Sequence, residues 1–375
     1  MQGGPGMTAL NWQRHPASRL VSDAGLQAEW DRLNARQRNL PFLGADVITA
    51  ALEAFGNQSE QLLVGSAGGK TLAMLVLVPS GWLRWSTFQP SQLPLGAWVA
   101  EPAWSPLDLS RSLLHSAMGP SLALSITQID PLIAPRQGDM PDTLNTDYID
   151  TAWLDIAGSF DDYWAARGKN LRQNMRKQRN KLATDGVVTS LRMLRLPQEM
   201  APAIARYGVL ESAGWKGDEG TSIHADNQQG HFYVKLFESA ARRGEALVFE
   251  YLFNDKTAAI NLCQLRHGVL VVLKTTYDES IPKTLSPAFL LREDELKHIF
   301  SSGEIQRIEY FGRRMDWHTK LTDSYRSLYH LTTFRWPLVK RLASQRRARL
   351  EARETSGDGK SEPDRNSPQA AARAA

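Results

Sequence analysis

Residues 269–311 read VLVVLKTTYDESIPKTLSPAFLLREDELKHIFSSGEIQRIEYF. Val269–Tyr277 is almost entirely β-branched, Leu or Tyr, which predicts a buried strand. A polar loop follows over 278–286. Ser286 is then a good N-cap and Pro287 suits the first helical position, so a helix is predicted from Pro287 to Ser301. Gly303 ends it, and Ile305–Phe311 reads as a closing strand. A helix start exposes unpaired N–H groups and the positive end of the helix dipole, which suits a phosphate or pyrophosphate. Lys283, just upstream, would add charge for an anionic ligand.

Working outward, Ala246–Phe253, Asn254-Asp255 and Thr257–Arg266 form a predicted hairpin. Helices are predicted before it, at Pro197–Ser212 and Gly230–Arg243. Further upstream come a strand at Tyr148–Asp155, one long helix at about Asp161–Thr184 and a strand at Val187–Leu194. The first half runs in a similar order. It gives a short strand at Leu10–His15, then helices at Ala24–Arg36 and Val47–Phe55, the latter with Asp46 as a candidate cap. A hairpin over Gln61–Val78, a strand at Trp82–Thr87, a helix at Pro106–Met118 and a strand at Ser121–Ile129 complete it. The residues do not repeat, but the element order does. That order predicts an α/β (α+β) fold: two copies of one unit, each a mixed, largely antiparallel sheet flanked by helices. The expected domains are 1–145, 146–345 and a polar, unstructured tail at 346–375.

Composition bounds the function. The chain has 375 residues, enough for about two domains, with 42% hydrophobic and 22% charged residues. Its 44 Lys+Arg and 40 Asp+Glu leave a formal net charge of only +4, which excludes a histone-like or extended acidic protein. The excess is local. Residues 160–185 hold seven bases against three acids, and 340–375 hold nine against five. The single cysteine, Cys263, excludes a disulfide framework or a Cys-rich zinc module and reads as core. No metal site is expected, because neither HExxH nor Cys/His ligand spacing occurs. GxGxxG, GxxxxGK[ST] and GxSxG are missing as well. No apolar run approaches a membrane span, and no secretory signal is visible. The expected compartment is the cytoplasm.

Two further segments are candidate binding surfaces. In the basic helix, Trp164, Leu171, Met175 and Leu182 share one stripe. Lys169, Arg172, Arg176 and Arg179 share the adjoining face, suited to phosphate, nucleic acid or an acidic carrier. Alternatively, that face is simply solvated, with arginine stems over apolar surface. The loop ESAGWKGDEGTS at 211–222 sets Trp215 and Lys216 among glycines and could cover a ligand. A last cluster, EYFGRRMDWHTK at 309–320, packs Glu309, Arg313, Arg314, Asp316, His318 and Lys320 into one strand end, from which an acid/base pair can be drawn.

Taken together, FDDYWAARGKNLRQNMRKQRNKLATDG, ESAGWKG, VVLKTTYDES, LSPAFLL and IEYFGRRMDWHTKLTDSYRSLY resemble the acetyltransferase domain of the CelD family. This branch of the GNAT superfamily is similar to the FemAB peptidyl transferases, which carry two GNAT-like units. The resemblance covers about Phe160 to Leu331 well and the first half of the chain weakly. It implies tandem GNAT-like units, the second active, and acyl transfer from acetyl-CoA or a longer acyl-CoA to an amine or hydroxyl. The acceptor class it suggests is a sugar, lipid or cell-envelope precursor. By the same resemblance the acyl-CoA arm lies along 269–277, including Thr275 and Thr276. Its pyrophosphate meets Ser286, Pro287, Ala288 and Phe289, with Lys283 nearby.

Matching the family ending without gaps puts Glu309 at its acid, Trp317 at its tyrosine and His318 at its lysine. Lys320 lies two residues on. His318, Glu309 and Lys320 are therefore the catalytic candidates, with His318 first for proton transfer. Arg172, Arg176, Trp215 and Lys216 are the candidates for substrate binding. The sequence departs from the pattern at Ala288, where the family has glycine, and it lacks the Q/RxxGxG/A phosphate loop. Those departures keep two other readings open: a FemAB-like donor, aminoacyl-tRNA or acyl carrier protein, and a non-catalytic binding protein.

Overall fold

The computed structural model describes residues 9–213, 223–224 and 227–356. The chain opens with β1 (Asn11–Pro16), α1 (Ser18–Ser22) and α2 (Ala24–Gln37). A 3-10 turn at Pro41–Leu43 leads into α3 (Ala45–Phe55). Next come β2 (Gln61–Ala67), β3 (Lys70–Gly81), β4 (Arg84–Thr87), β5 (Trp98–Ala100), α4 (Pro106–Ser116), β6 (Ala123–Ile129) and β7 (Thr143–Asp155). The second half holds α5 (Phe160–Ala165), α6 (Lys169–Thr184), β8 (Thr189–Leu194), α7 (Pro197–Ala213) and α8 (Gln228–Arg242). It continues through β9 (Ala246–Phe253), β10 (Lys256–Arg266), β11 (Val269–Tyr277), α9 (Pro287–Ser302) and β12 (Arg307–Glu309). It closes with α10 (Asp316–Thr319), β13 (Tyr325–Phe334) and α11 (Pro337–Ser356).

The chain divides into two units. One comprises Met1–Asn39, Gly56–Tyr148 and Ser327–Ala375; the other comprises Leu40–Phe55 and Ile149–Arg326. The helix Ala45–Phe55, which the sequence reading put in an N-terminal domain, thus belongs to the second unit. There Phe55 lies 5.2 Å from Phe232 of α8, and Asp46 accepts from Ser239 and Arg243, both at 2.8 Å. Asp46 sits within the first turn of α3 rather than capping it.

Both units are mixed α/β and are paired alike, as the repeated element order predicted. In the first, β1-β2-β3-β4 are antiparallel neighbours, β4 runs parallel to β6, and β6 is antiparallel to β13. In the second, β8-β9-β10-β11 are antiparallel neighbours, β11 runs parallel to β12, and β12 is antiparallel to β7. The last strand of each series is exchanged. β7 follows β6 in the chain yet pairs with β12, while β13 follows β12 yet pairs with β6.

Each unit buries its own core. The first is built on Leu63, Leu75, Leu109, Leu113, Leu124 and Ile126. In the second, Leu247, Phe249, Tyr251, Cys263, Leu290 and Ile308 pack together, and Leu171, Met175 and Leu182 of α6 join them as the stripe predicted.

Four expectations are corrected. The long basic helix is two helices, because Gly168 takes an extended conformation and caps α6. The closing strand is shortened to Arg307–Glu309. Another strand, β13, follows it. Helix α11 then reaches Ser356, into the segment read as tail, and 357–375 lie outside the described residues. Among the described residues no helix is long and apolar enough to cross a membrane.

Candidate active site

The second unit holds a wedge. β11 and β12 pair only at Val269–Arg307, Leu270–Ile308 and Val271–Glu309. Beyond that, the Tyr310 amide turns to the Ala152 carbonyl at 3.0 Å, while β11 runs on alone to Tyr277. Among the described residues, no strand takes up the free side of Val272–Tyr277.

β11 also carries a bulge. Register steps from Leu262↔Lys274 to Cys263↔Val272, so Leu273 is the extra residue. Thr275 now lies opposite Asn261, on the face toward α9. Its hydroxyl donates to Asn261 Oδ1 at 2.7 Å, and Asn261 Nδ2 donates to Glu295 Oε2 of α9 at 2.6 Å. Thr276 is turned to the other face, with Lys274, whose ammonium lies 5.8 Å from the Tyr233 ring. The two threonines therefore cannot serve one ligand surface.

Helix α9 starts where expected, at Pro287 behind Ser286, and ends on Gly303 at φ 66°. The Ser286 side chain makes no capping bond. Its amide donates to Gln178 Oε1 of α6 at 2.6 Å. The Phe289 and Leu290 amides both turn to the Ser286 carbonyl at 3.0 Å. Pro287 has no N–H, so Ala288 supplies the N–H left for a ligand, with exposed Lys283 upstream.

Beside this helix start sits a buried, aromatic-lined cluster. Arg292 is 7% exposed; its guanidinium donates to the Ala288 carbonyl at 3.2 Å and lies 3.7 Å from the centre of the Trp317 ring. Burial pushes its pKa below the usual arginine value. Trp317 stacks on His318 with centroids 3.5 Å apart, and Tyr310 meets both rings edge-on. Burial also holds the Glu295 carboxyl up at about 7, although Arg292 and the Asn261 amide oppose that rise.

His318 is buried, and its Nδ1 accepts the Met315 amide at 2.8 Å. A backbone N–H can only donate, so the neutral ring carries its proton on Nε2. Burial, then the charge of Arg292, lowers its pKa to about 4. At neutral pH this imidazole is thus fitted to donate a hydrogen bond from Nε2, and it is a weak base. Lys320 is exposed, its ammonium 5.2 Å from the Phe289 ring. Trp317, His318, Lys320, Phe289 and the start of α9 are therefore brought together.

Glu309 is not among them. Ile308 and Tyr310 point into the core beneath α9, so strand alternation turns Glu309 to the opposite face. There its carboxylate is buried and accepts from Arg326 at 2.8 Å and Arg307 at 3.5 Å.

On α6, Arg172 and Arg176 are exposed, and Arg172 Nε donates to the Arg167 carbonyl at 3.1 Å. Arg179, read with that face, is instead committed to Glu293 and Asp294 of α9, both at 2.7 Å. Trp215 and Lys216 lie outside the described residues. Arg292, Glu295 and Asn261 were not singled out from the sequence. The readable signal was spacing: Leu291, Arg292, Glu295, Leu296 and Ile299 recur on one buried face of α9.

The first unit has the corresponding strands, but its wedge is filled by its own chain. Segment 93–100 returns between β4 and β6. The Ala97 amide bonds the Phe88 carbonyl at 3.0 Å, the Gly96 amide bonds Thr127 at 3.2 Å, and β5 pairs with β3. Leu95, Ala97 and Trp98 are buried there.

Several solved structures resemble the chain in part. The C-terminal domain of a putative lysylphosphatidylglycerol synthetase from Agrobacterium fabrum is 13% identical, with 81% of this chain and 92% of that one covered and a TM-score of 0.49. A tandem GNAT protein from the clavulanic acid biosynthesis pathway is 14% identical, with coverages of 86% and 98% and a TM-score of 0.42. FemX is 10% identical, with coverages of 78% and 92% and a TM-score of 0.44. No curated protein matches the chain. Residues 169–319, which run from the start of α6 through the wedge to the end of α10, match the family model described as an acetyltransferase (GNAT) domain.

Proposed function

We propose that the protein is an acyltransferase whose second unit moves an acyl group from a CoA thioester to an amine or hydroxyl. Within the GNAT superfamily we place it with the CelD-type enzymes, acting on a sugar, lipid or envelope precursor. One observation carries the reading: the wedge beside the α9 start is open in the second unit and filled in the first. It lies inside the stretch that matches the acetyltransferase model.

The chemistry follows from the residues there. The free edge of β11 offers backbone N–H groups to the pantetheine arm and to the thioester carbonyl. Charge developing on that oxygen is met by donors already in place, among which His318 Nε2–H is the side-chain candidate. The acceptor nitrogen or oxygen attacks the carbonyl carbon and loses its proton to solvent. The C–S bond breaks, and the thiolate takes up a proton on leaving. Holding both reactants in the wedge contributes much of the rate. In this reading Lys283, Lys320 and the Ala288 amide meet the diphosphate, and Arg172 and Arg176, exposed on α6, meet the remaining anionic groups. Glu309, turned away and ion-paired, has a positioning role at most.

Calorimetric titration of acetyl-CoA and a longer acyl-CoA into the full chain tests this, with Lys283→Ala and Arg176→Ala alongside. Saturable binding, weakened by Lys283→Ala, is expected. If a folded protein binds no acyl-CoA, the donor assignment fails. Aminoacyl-tRNA or acyl carrier protein then becomes the donor to test.

A further inference from the structure

The first unit carries a surface that acyl transfer does not use. Residues 335–349 read RWPLVKRLASQRRAR, with six bases and no acid. Three large apolar side chains stand exposed in the same stretch: Trp336 at 54%, Leu338 at 64% and Leu342 at 58%. A fourth, Trp82 at 82%, tips the β3–β4 hairpin.

The hairpin tip and the start of α11 are neighbours. The Leu122 amide donates to the Leu83 carbonyl at 2.7 Å, and the Arg335 amide donates to the Leu122 carbonyl at 2.9 Å. One backbone segment thus separates Trp82–Leu83 from Arg335–Trp336, about two strand spacings. At 100° per residue, Leu338 and Leu342 share one side of α11, flanked by Arg341 and Arg346, with Arg349 further along the same side.

Among the described residues, no ion pair takes up Arg341, Arg346 or Arg349. Lys340 reaches only the Met140 carbonyl at 2.8 Å. Burial, and after it the charge of Arg346, lowers the pKa of Arg84 beside the hairpin tip.

We propose that this edge of the first unit docks on an anionic lipid surface through the hairpin tip and the first two turns of α11. Leu338 and Leu342 would enter the acyl boundary. Trp82 and Trp336 would sit at headgroup level, where amphipathic rings are favoured. Arg341, Arg346 and Arg349 would meet lipid phosphates along the rim. A nucleic acid would satisfy the bases but leaves two exposed leucines on the same stripe unexplained. The surface is separate from the wedge, so its failure leaves the acyl-transfer reading standing.

Flotation of the full chain with vesicles decides it. One set is phosphatidylcholine alone; the other contains about 30 mol % phosphatidylglycerol, enough to set up a strong negative surface potential. Binding is expected only to the second set, weakening as salt is raised. The double variant Arg341→Glu/Arg346→Glu should lower partitioning by about tenfold or more, since each base near such a surface counts. Leu338→Ser/Leu342→Ser should lower it too, at unchanged charge, and brominated lipid should quench wild-type tryptophan fluorescence more than that of Trp82→Ala. All of these side chains are exposed, so circular dichroism should report unaltered folding. Failure to float with the anionic vesicles overturns the proposal. So does binding indifferent to the leucines, or binding of an RNA oligonucleotide that the arginine pair abolishes while vesicles are ignored.

Discussion

At the scale of single residues, burial decides what the titratable groups can do. His318 holds no proton on Nδ1 because the Met315 amide occupies that lone pair. With a folded pKa of about 4 against 6.5 when unfolded, it lets the unfolded chain take up a proton that the native state refuses. Its contribution to stability is therefore complete above pH 6.5 and lost as pH falls through about 4. His330, half-buried in the first unit, behaves likewise, with a pKa of about 4. Glu295 acts in the opposite sense: raised from 4.5 to about 7, its contribution is full below 4.5 and lost as pH rises through 7. Each effect is on the order of 3 kcal/mol. Urea unfolding at pH 7 and pH 4.5 should show a smaller acid loss for His318→Gln than for the wild type. Glu295→Gln should flatten the alkaline limb between pH 5 and 8. An acid loss unchanged in His318→Gln would mean that the imidazole is not buried neutral. Neither behaviour was legible in the sequence, which supplies a histidine near the right place but not the amide that fixes its tautomer.

At the scale of elements, glycine explains why one wedge is closed. A Cβ on Gly96 would lie 2.5 Å from Thr87 Oγ1 and 2.7 Å from the Thr127 carbonyl. Those threonine hydroxyls bond each other at 2.6 Å, so neither can easily withdraw. Gly96→Ala should cost about 1–3 kcal/mol by overpacking. Gly138→Ala, with nothing within 4 Å, should stay within about 0.5 kcal/mol. Thermal unfolding of the two variants compares them, and equal melting points would refute the packing argument.

Elements with local signals were readable. Pro287 at the first helical position and left-handed Gly303 bracket α9, although Ser286 makes no capping bond there. β13 escaped because its pattern is broken by charge: Arg326 occupies a buried position that the alternation reserves for apolar side chains, held there by Glu309. The break at Gly168 escaped because a helix interior tolerates one glycine at about 1 kcal/mol.

At the scale of the molecule, element order revealed the duplication, while the strand exchange left no trace in the sequence. Pairing of β6 with β13 spans some two hundred residues, and no local propensity encodes a contact of that range. The sequence boundary near 145 also missed α3, whose partner α8 is equally remote. A fragment of residues 149–326 should therefore lose the packing of Phe55 on Phe232 and the Asp46 bonds to Ser239 and Arg243. It should unfold less cooperatively than the intact chain, with the ring of Phe232 uncovered. A sharp native-like transition for that fragment, followed by calorimetry, would show that α3 is dispensable.

The exchanged strands also carry a consequence for synthesis. When the first unit leaves the ribosome, β6 has β4 on one side and nothing on the other, because β13 is not yet made. At cellular elongation rates the wait for β13 lasts roughly ten to forty seconds. Throughout it, β6 is a bare edge able to recruit any passing strand. A nascent chain of this design would depend on a holding factor, or on a pause-free message, more than its finished length suggests.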